Sequence, residues 1–164
     1  MTVRTEDPQR ALRDSLGMFA TGITVVTVRS PSGKPFGLTV NSFNSVSLEP
    51  PLIVWSLATH LASVNAFADC EYYAINVLAE DQQHLSQRFA TRDIDKFAGL
   101  ELREGLGGAP LLDGCCAWFE CRNTLRHDGG DHVMFVSEVV RHTHEAKAPL
   151  IYFGGRYRSL APGV

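Results

Sequence analysis

The chain lacks the clustered lysine and arginine that phosphate-backbone recognition needs. Its 15 Lys and Arg stand against 18 Asp and Glu for a net charge of -3, which argues against a nucleic-acid surface. It also lacks a long hydrophobic run. The longest, Leu52 to Trp55 with Leu57-Ala58 beyond Ser56, falls far short of the roughly 20 residues of a membrane span. The opening MTVRTEDPQR has no apolar core and does not read as a signal peptide, so a cytoplasmic protein with no membrane partner is expected. Cysteine is scarce and poorly spaced for metal or disulfide work. Cys70, Cys115, Cys116 and Cys121 make no C-x-x-C pair and no zinc framework, which leaves buried, reduced thiols as the expectation.

Several catalytic signatures are absent too. Gly105-Leu106-Gly107-Gly108 follows no clear strand and opens no helix, so neither a dinucleotide fingerprint nor a phosphate loop is present. No G-x-S-x-G elbow supports a serine hydrolase. The six histidines cluster only at His142-Thr143-His144 beside Glu145, which reads as a solvated strand end, and no metal is expected.

What remains is an ordinary globular composition, 45% hydrophobic and 20% charged over 164 residues, enough for one domain with no second core needed. Asp7-Pro8 opens a helix whose stripe, Leu12, Leu16 and Phe19, should pack on something before Gly22 ends it. The β-branched run Ile23 to Val28 and the stretch Phe36 to Val40 form a hairpin around Ser30 to Lys34. Thr59 to Ala68 has helical spacing with Thr59 as cap, Tyr72 to Leu78 is a core strand, and Asp81 caps a helix carrying Leu85 and Phe89. The last third, Cys116 to Leu125, His132 to Val140 and Leu150 to Leu160 around Gly154-Gly155, is again strand and turn. Six or seven strands with few helices predict a mostly β protein, a closed or nearly closed antiparallel barrel that hides its edges.

Two stretches carry candidate chemistry. Asn41, Ser42, Asn44, Ser45 and Ser47 crowd seven positions around Phe43 and Val46, just before Pro50-Pro51 breaks the chain and Leu52 to Trp55 re-enters the core. Such an elbow is a candidate anion cradle, with Arg88 as a charged partner, or else a polar strand crossing. The second is Gly130-Asp131-His132, where a histidine begins a strand just after a tight turn; an exposed hairpin residue is the other reading.

Taken in order, GLTVNSFNSVSLEPPLIVWSL, INVLAEDQQHLSQRFA, DKFAGL, APLLDGCCAWFECR, GGDHVMFVSEV and PLIYFGGRY resemble the small flavin reductases of two-component monooxygenases, from about Leu12 to Leu160. The resemblance implies an FMN-binding split β-barrel, antiparallel and Greek-key-like with a few peripheral helices, usually a homodimer with flavin near the subunit interface. It implies an NAD(P)H:flavin oxidoreductase that reduces FMN or FAD with NADH or NADPH and supplies the reduced flavin to a partner oxygenase. The alternatives are a reductase with tightly bound FMN acting on another small substrate, and a flavin-binding electron-transfer module. By the same resemblance, Thr39, Val40, Asn41, Ser42 and Phe43, with Ser45 and Ser47, wrap the flavin. Trp55, Ser56, Leu57 and Ala58 run along its ring, Ser63 starts the following helix, and Arg88-Phe89 approach its polar tail. His132 is the nicotinamide contact and catalytic candidate, and Tyr152, Arg156 and Tyr157 fall where the dinucleotide lies. Ser137 departs from the Gly that many relatives carry there, which places the nicotinamide pocket in question. No Arg cluster suits a 2′-phosphate, which favours NADH.

Overall fold

A computed structural model describes residues 7–161. Helix α1 (Pro8–Leu16) is followed by strands β1 (Thr21–Gly22), β2 (Thr24–Arg29), β3 (Pro35–Val40), β4 (Asn44–Leu48) and β5 (Pro51–Ala58). Next come α2 (Val64–Ala68), β6 (Tyr72–Val77), α3 (Gln83–Ala90), β7 (Leu102–Glu104) and β8 (Pro110–Leu112). The long β9 (Ala117–Gly129) and β10 (His132–His144) precede the short β11 (Ile151–Phe153) and β12 (Arg156–Arg158).

Seven strands form one antiparallel sheet in the order β3-β2-β6-β9-β10-β5-β4. Its two edges, β3 and β4, are consecutive in the chain and joined only by Asn41 to Phe43. A three-residue link can reach from one edge to the other only if the sheet curls round, so the fold is barrel-like. The edges are not ladder partners, and the barrel is split at that seam rather than closed. A three-stranded sheet β1-β11-β12 and the pair β7-β8 lie outside it.

The curled sheet has a core on each face. Inside it, Trp55 stacks on Phe135 with centroids 4.7 Å apart and meets Phe67 and Tyr73 edge-on, while its indole N–H donates to the Tyr73 hydroxyl at 2.8 Å. On the outer face, Val25, Ala74, Leu78, Leu85, Phe89, Leu112 and Trp118 pack together. Residue parity divides the two: Val25 faces outward and Val26 inward on β2, Ala74 outward and Ile75 inward on β6. A strand buried on both faces has no polar side to show, which is why β2 reads as an unbroken β-branched run. Asn76, buried between the layers, donates to Val25 O (2.9 Å) and Thr27 Oγ1 (3.1 Å) and accepts the Leu112 N–H (2.8 Å), so none of its polar atoms is stranded.

Several expectations are corrected. The helix after β5 is short, Val64–Ala68, because Thr59 does not cap it; its N–H and hydroxyl both donate to Asp131 O, at 3.0 and 3.1 Å. Asp81 lies inside a 3-10 turn, Glu80–Gln82, and it is Gln82 Oε1 that accepts the Ala79 N–H. The elbow is partly strand, since Asn44–Leu48 pairs with β5 as an exposed edge. Asp7 does cap α1, accepting from the Gln9 N–H, but the helix stops at Leu16 with Gly17 as its C-cap. Its stripe is left largely uncovered by the described residues: Leu12, Leu16 and Phe19 are 60%, 64% and 75% exposed.

Candidate active site

Period-2 alternation sets which side of β5 is available. Trp55 and Leu57 are wholly buried in the barrel interior, so their side chains serve the core, while Ser56 and Ala58 turn the other way and are half-buried. The link from β3 to β4 is clipped to this strand. Ser42 Oγ accepts the Ser56 N–H at 3.0 Å and donates back to Ser56 O at 3.3 Å, closing the seam on a single side chain. Phe43 turns in to stack at a tilt on Phe119, centroids 5.4 Å apart.

Other polar groups of the elbow are also spent locally. Thr39 Oγ1 donates to Ser86 O (2.6 Å), Asn44 Oδ1 accepts the Ser45 N–H (2.8 Å), and Ser47 Oγ accepts the Glu49 N–H (3.2 Å). Among the described residues, the side chains of Asn41 and Ser45 carry no intramolecular hydrogen bond and stay exposed.

Beyond β5 the chain runs into the wall of a groove of about 930 Å³. Lys34 to Gly37 at the start of β3, His60 to Ser63, and Arg92 to Ala98 line it. Its floor is aromatic and closely fitted: a Cβ on Gly37 would lie 2.6 Å from the Phe89 ring and 3.1 Å from Phe97. Those two rings meet edge-on, 5.1 Å apart. The wall from Arg92 to Ala98 is held by cations below it. The Arg88 guanidinium donates to the carbonyls of Asp95 and Ala98, and Lys96 Nζ donates to Gly37 O (3.1 Å) and Phe89 O (2.7 Å). Partial burial lowers the Lys96 pKa from its ordinary value. Arg92 and His60 meet across the mouth, with 3.2 Å between guanidinium nitrogen and Nε2.

His132 opens β10, opposite Ala58 of β5 and Gly129 of β9. The tight turn before it is made by Gly130, at φ +74°, and Asp131. Asp131 Oδ1 and His132 Nδ1 are 2.6 Å apart, and this hydrogen bond holds the Asp131 pKa below its ordinary value. Through Thr59 the same turn is tied to the loop bearing His60. Two hydrogen bonds from Thr59 thus link the turn before His132 to the loop whose His60 to Ser63 line the groove.

Tyr152 and Tyr157 sit edge-on to each other on β11 and β12, 5.5 Å between centroids, and the Tyr157 hydroxyl meets Ser86 Oγ at 2.9 Å. Ser86 also receives Thr39, so these tyrosines join the site's flank through α3. Arg156 is exposed on the same small sheet. Ser63 lines the groove, Phe89 lies buried beneath it, and Val40 packs against the interior core. Three groove groups, His60, Arg92 and Lys96, were not singled out by sequence reasoning. Arg92 and Lys96 stand in a run of alternating charge that reads as solvated until the fold brings β3 and the β5 loop against it, Lys96 also falls in the DKFAGL block, and His60 has no such local signal.

The donor set suits a planar, anionic ligand: apolar surface from Phe36, Leu61, Ile94 and Phe97, with Lys34, Arg92, Lys96 and Ser63 around it. Among the described residues no group of His, Cys, Asp and Glu could hold a metal ion, and no helix is long and apolar enough to cross a membrane.

The flavin reductase-like domain model matches residues 16–161. The chain is 46% identical over 148 residues to an FMN reductase (NADH) of Agrobacterium fabrum, covering 90% of this chain and 84% of that protein. It is 43% identical over 148 residues to the reductase component of a flavin-dependent trigonelline monooxygenase of Acinetobacter baylyi, covering 90% of this chain but only 48% of that one. Among solved structures, an NADH:FAD oxidoreductase of Streptomyces globisporus in complex with NAD and FAD fragments superposes with a TM-score of 0.91 at 34% identity, covering 99% of each chain.

Proposed function

The chain belongs to the flavin reductase-like family of oxidoreductases, and from that premise we propose that it oxidises NADH, passes the hydride to FMN, and releases reduced FMN to a flavin-dependent oxygenase. The observation that carries this is a cation-bearing groove whose His60 to Ser63 wall follows directly on β5, with a histidine at a tight turn paired to the end of that strand. FMN, when bound, would supply the two-electron acceptor.

The chain's own work is positional. Hydride transfer between two rings asks for no nucleophile, which agrees with the missing hydrolase signatures; it asks for two planar groups held in contact with water excluded. The groove holds the anionic tail. Ser56, Ala58 and the free polar groups Asn41 and Ser45 border the ring, and the Ser42 clip keeps the elbow in place beside them. His132, oriented by Asp131, holds the nicotinamide at the end of β5. FMN is favoured because the Agrobacterium relative is named for it. NADH is favoured because the same relative is named for it and no Arg cluster suited to a 2′-phosphate stands out in the sequence.

A second copy of the chain is proposed to cover α1, whose exposed Leu12 and Leu16 continue into exposed Met18 and Phe19. Light scattering would then return a dimer, and Phe19→Glu would shift it towards monomer. The function is tested by NADH oxidation with and without free FMN. The rate is expected to rise with FMN as a freely exchanging substrate. No stimulation, in a preparation shown to bind flavin, would overturn the reading.

A further inference from the structure

We propose that Arg92 is the group that reads the flavin's phosphate and that His60 is the positioning residue that aims it. The inference rests on the flavin reductase reading and deepens it, because it names how this site tells FMN from riboflavin.

Three cations line the groove, and they are not equally available. Lys96 already donates to two carbonyls, Gly37 O and Phe89 O, and holds the wall in place. Lys34 Nζ lies over the Phe36 ring, 5.3 Å from its centroid, at the outer end of β3. Arg92 is exposed, and among the described residues no carboxylate lies within ion-pair distance of it. Two acidic residues share the wall, but Asp95 Oδ1 is turned into its own loop to accept the Phe97 N–H at 3.1 Å. Asp93 is exposed and does not pair with Arg92.

Among the described residues, the side chain hydrogen-bonded to the Arg92 guanidinium is the imidazole of His60. A guanidinium has no acceptor, so His60 Nε2 must accept and the ring proton must sit on Nδ1. This partner differs from a carboxylate in one decisive way. It fixes the direction of the guanidinium without cancelling its charge, and leaves four N–H groups for a bidentate contact with phosphate oxygens. His60 is itself placed by its neighbour: the Thr59 N–H and hydroxyl both donate to Asp131 O, one residue before His132. The anion-reading end and the nicotinamide end of the site are thereby held in one frame.

The test is flavin binding by the stripped protein, followed by quenching of flavin fluorescence, with FMN and riboflavin titrated separately. Arg92→Ala is expected to weaken FMN about tenfold or more while riboflavin changes by no more than about twofold. His60→Ala should weaken FMN alone, and His60→Gln, whose Oε1 can accept from the guanidinium, should restore it. Thermal melts of all three should match the parent. An unchanged ratio of FMN to riboflavin affinity in Arg92→Ala overturns the phosphate role, and failure of Gln to restore FMN binding overturns the positioning role. If the parent oxidises NADH with riboflavin while these variants behave like it, the reductase reading stands and only this inference falls. A parent that binds neither flavin overturns both.

Discussion

The elbow from Asn41 to Ser47 pairs with β5, whereas the groove is lined by the loop that follows that strand together with the start of β3 and Arg92 to Ala98, and the two are built differently. The elbow is dense in hydroxyls and amides, yet Ser42 is spent on Ser56, Asn44 on Ser45 and Ser47 on Glu49. The groove carries Lys34, His60, Ser63, Arg92, Asp93, Asp95 and Lys96 on its walls, and there Arg92 meets an imidazole rather than a carboxylate. A ligand is held by donors that remain unpaired after folding, so the density of polar residues along a sequence is a poor guide to where an anion binds.

The largest effect is expected beneath both regions. Trp55→Ala removes the ring that carries β5 and should cost about 3–5 kcal/mol in urea unfolding. A loss much smaller than that would mean the two regions do not share this foundation. Next is His132→Ala, expected to lower turnover about tenfold or more through misplacement of the nicotinamide, with the flavin dissociation constant unchanged. An unaltered NADH oxidation rate would remove His132 from the site.

Ser42→Ala should cost about 1 kcal/mol of stability, measured by denaturant, because one hydrogen-bonded clip is lost. Ser47→Ala sharpens the comparison from the other side: it should weaken FMN binding far less than Arg92→Ala, and the reverse order would return the phosphate to the elbow. The smallest effect concerns pH. Burial holds the Cys121 thiol up at about 12 against an ordinary 9.0. Between those values the unfolded chain gives up a proton that the folded chain keeps. The contribution is therefore complete below about pH 9 and lost as pH rises towards 12. Cys121→Ala should flatten the alkaline fall in the urea midpoint; an equally steep fall would assign it to other groups.

Much of the fold was legible because its signals are local. The β-branched run of β2, the Gly-rich turns before His132 and before Arg156, and the Asp7-Pro8 cap each act through neighbours in the chain. Other features depended on partners far away. Thr59 reads as a helix cap until Asp131, 72 positions on, takes both of its donors. The stripe of α1 reads as core and stands exposed.

Taken alone, the sequence determined a mostly β domain, its approximate strands, and through motif order the family to which it belongs, since alternation and turn chemistry operate over a few residues. Only the tertiary structure decided that the sheet curls to a seam clipped by Ser42, that Trp55 and Leu57 face inward while Ser56 and Ala58 do not, and that Arg92 meets His60. Each of these depends on which groups are left without partners once distant segments have packed together, and no local pattern encodes that remainder.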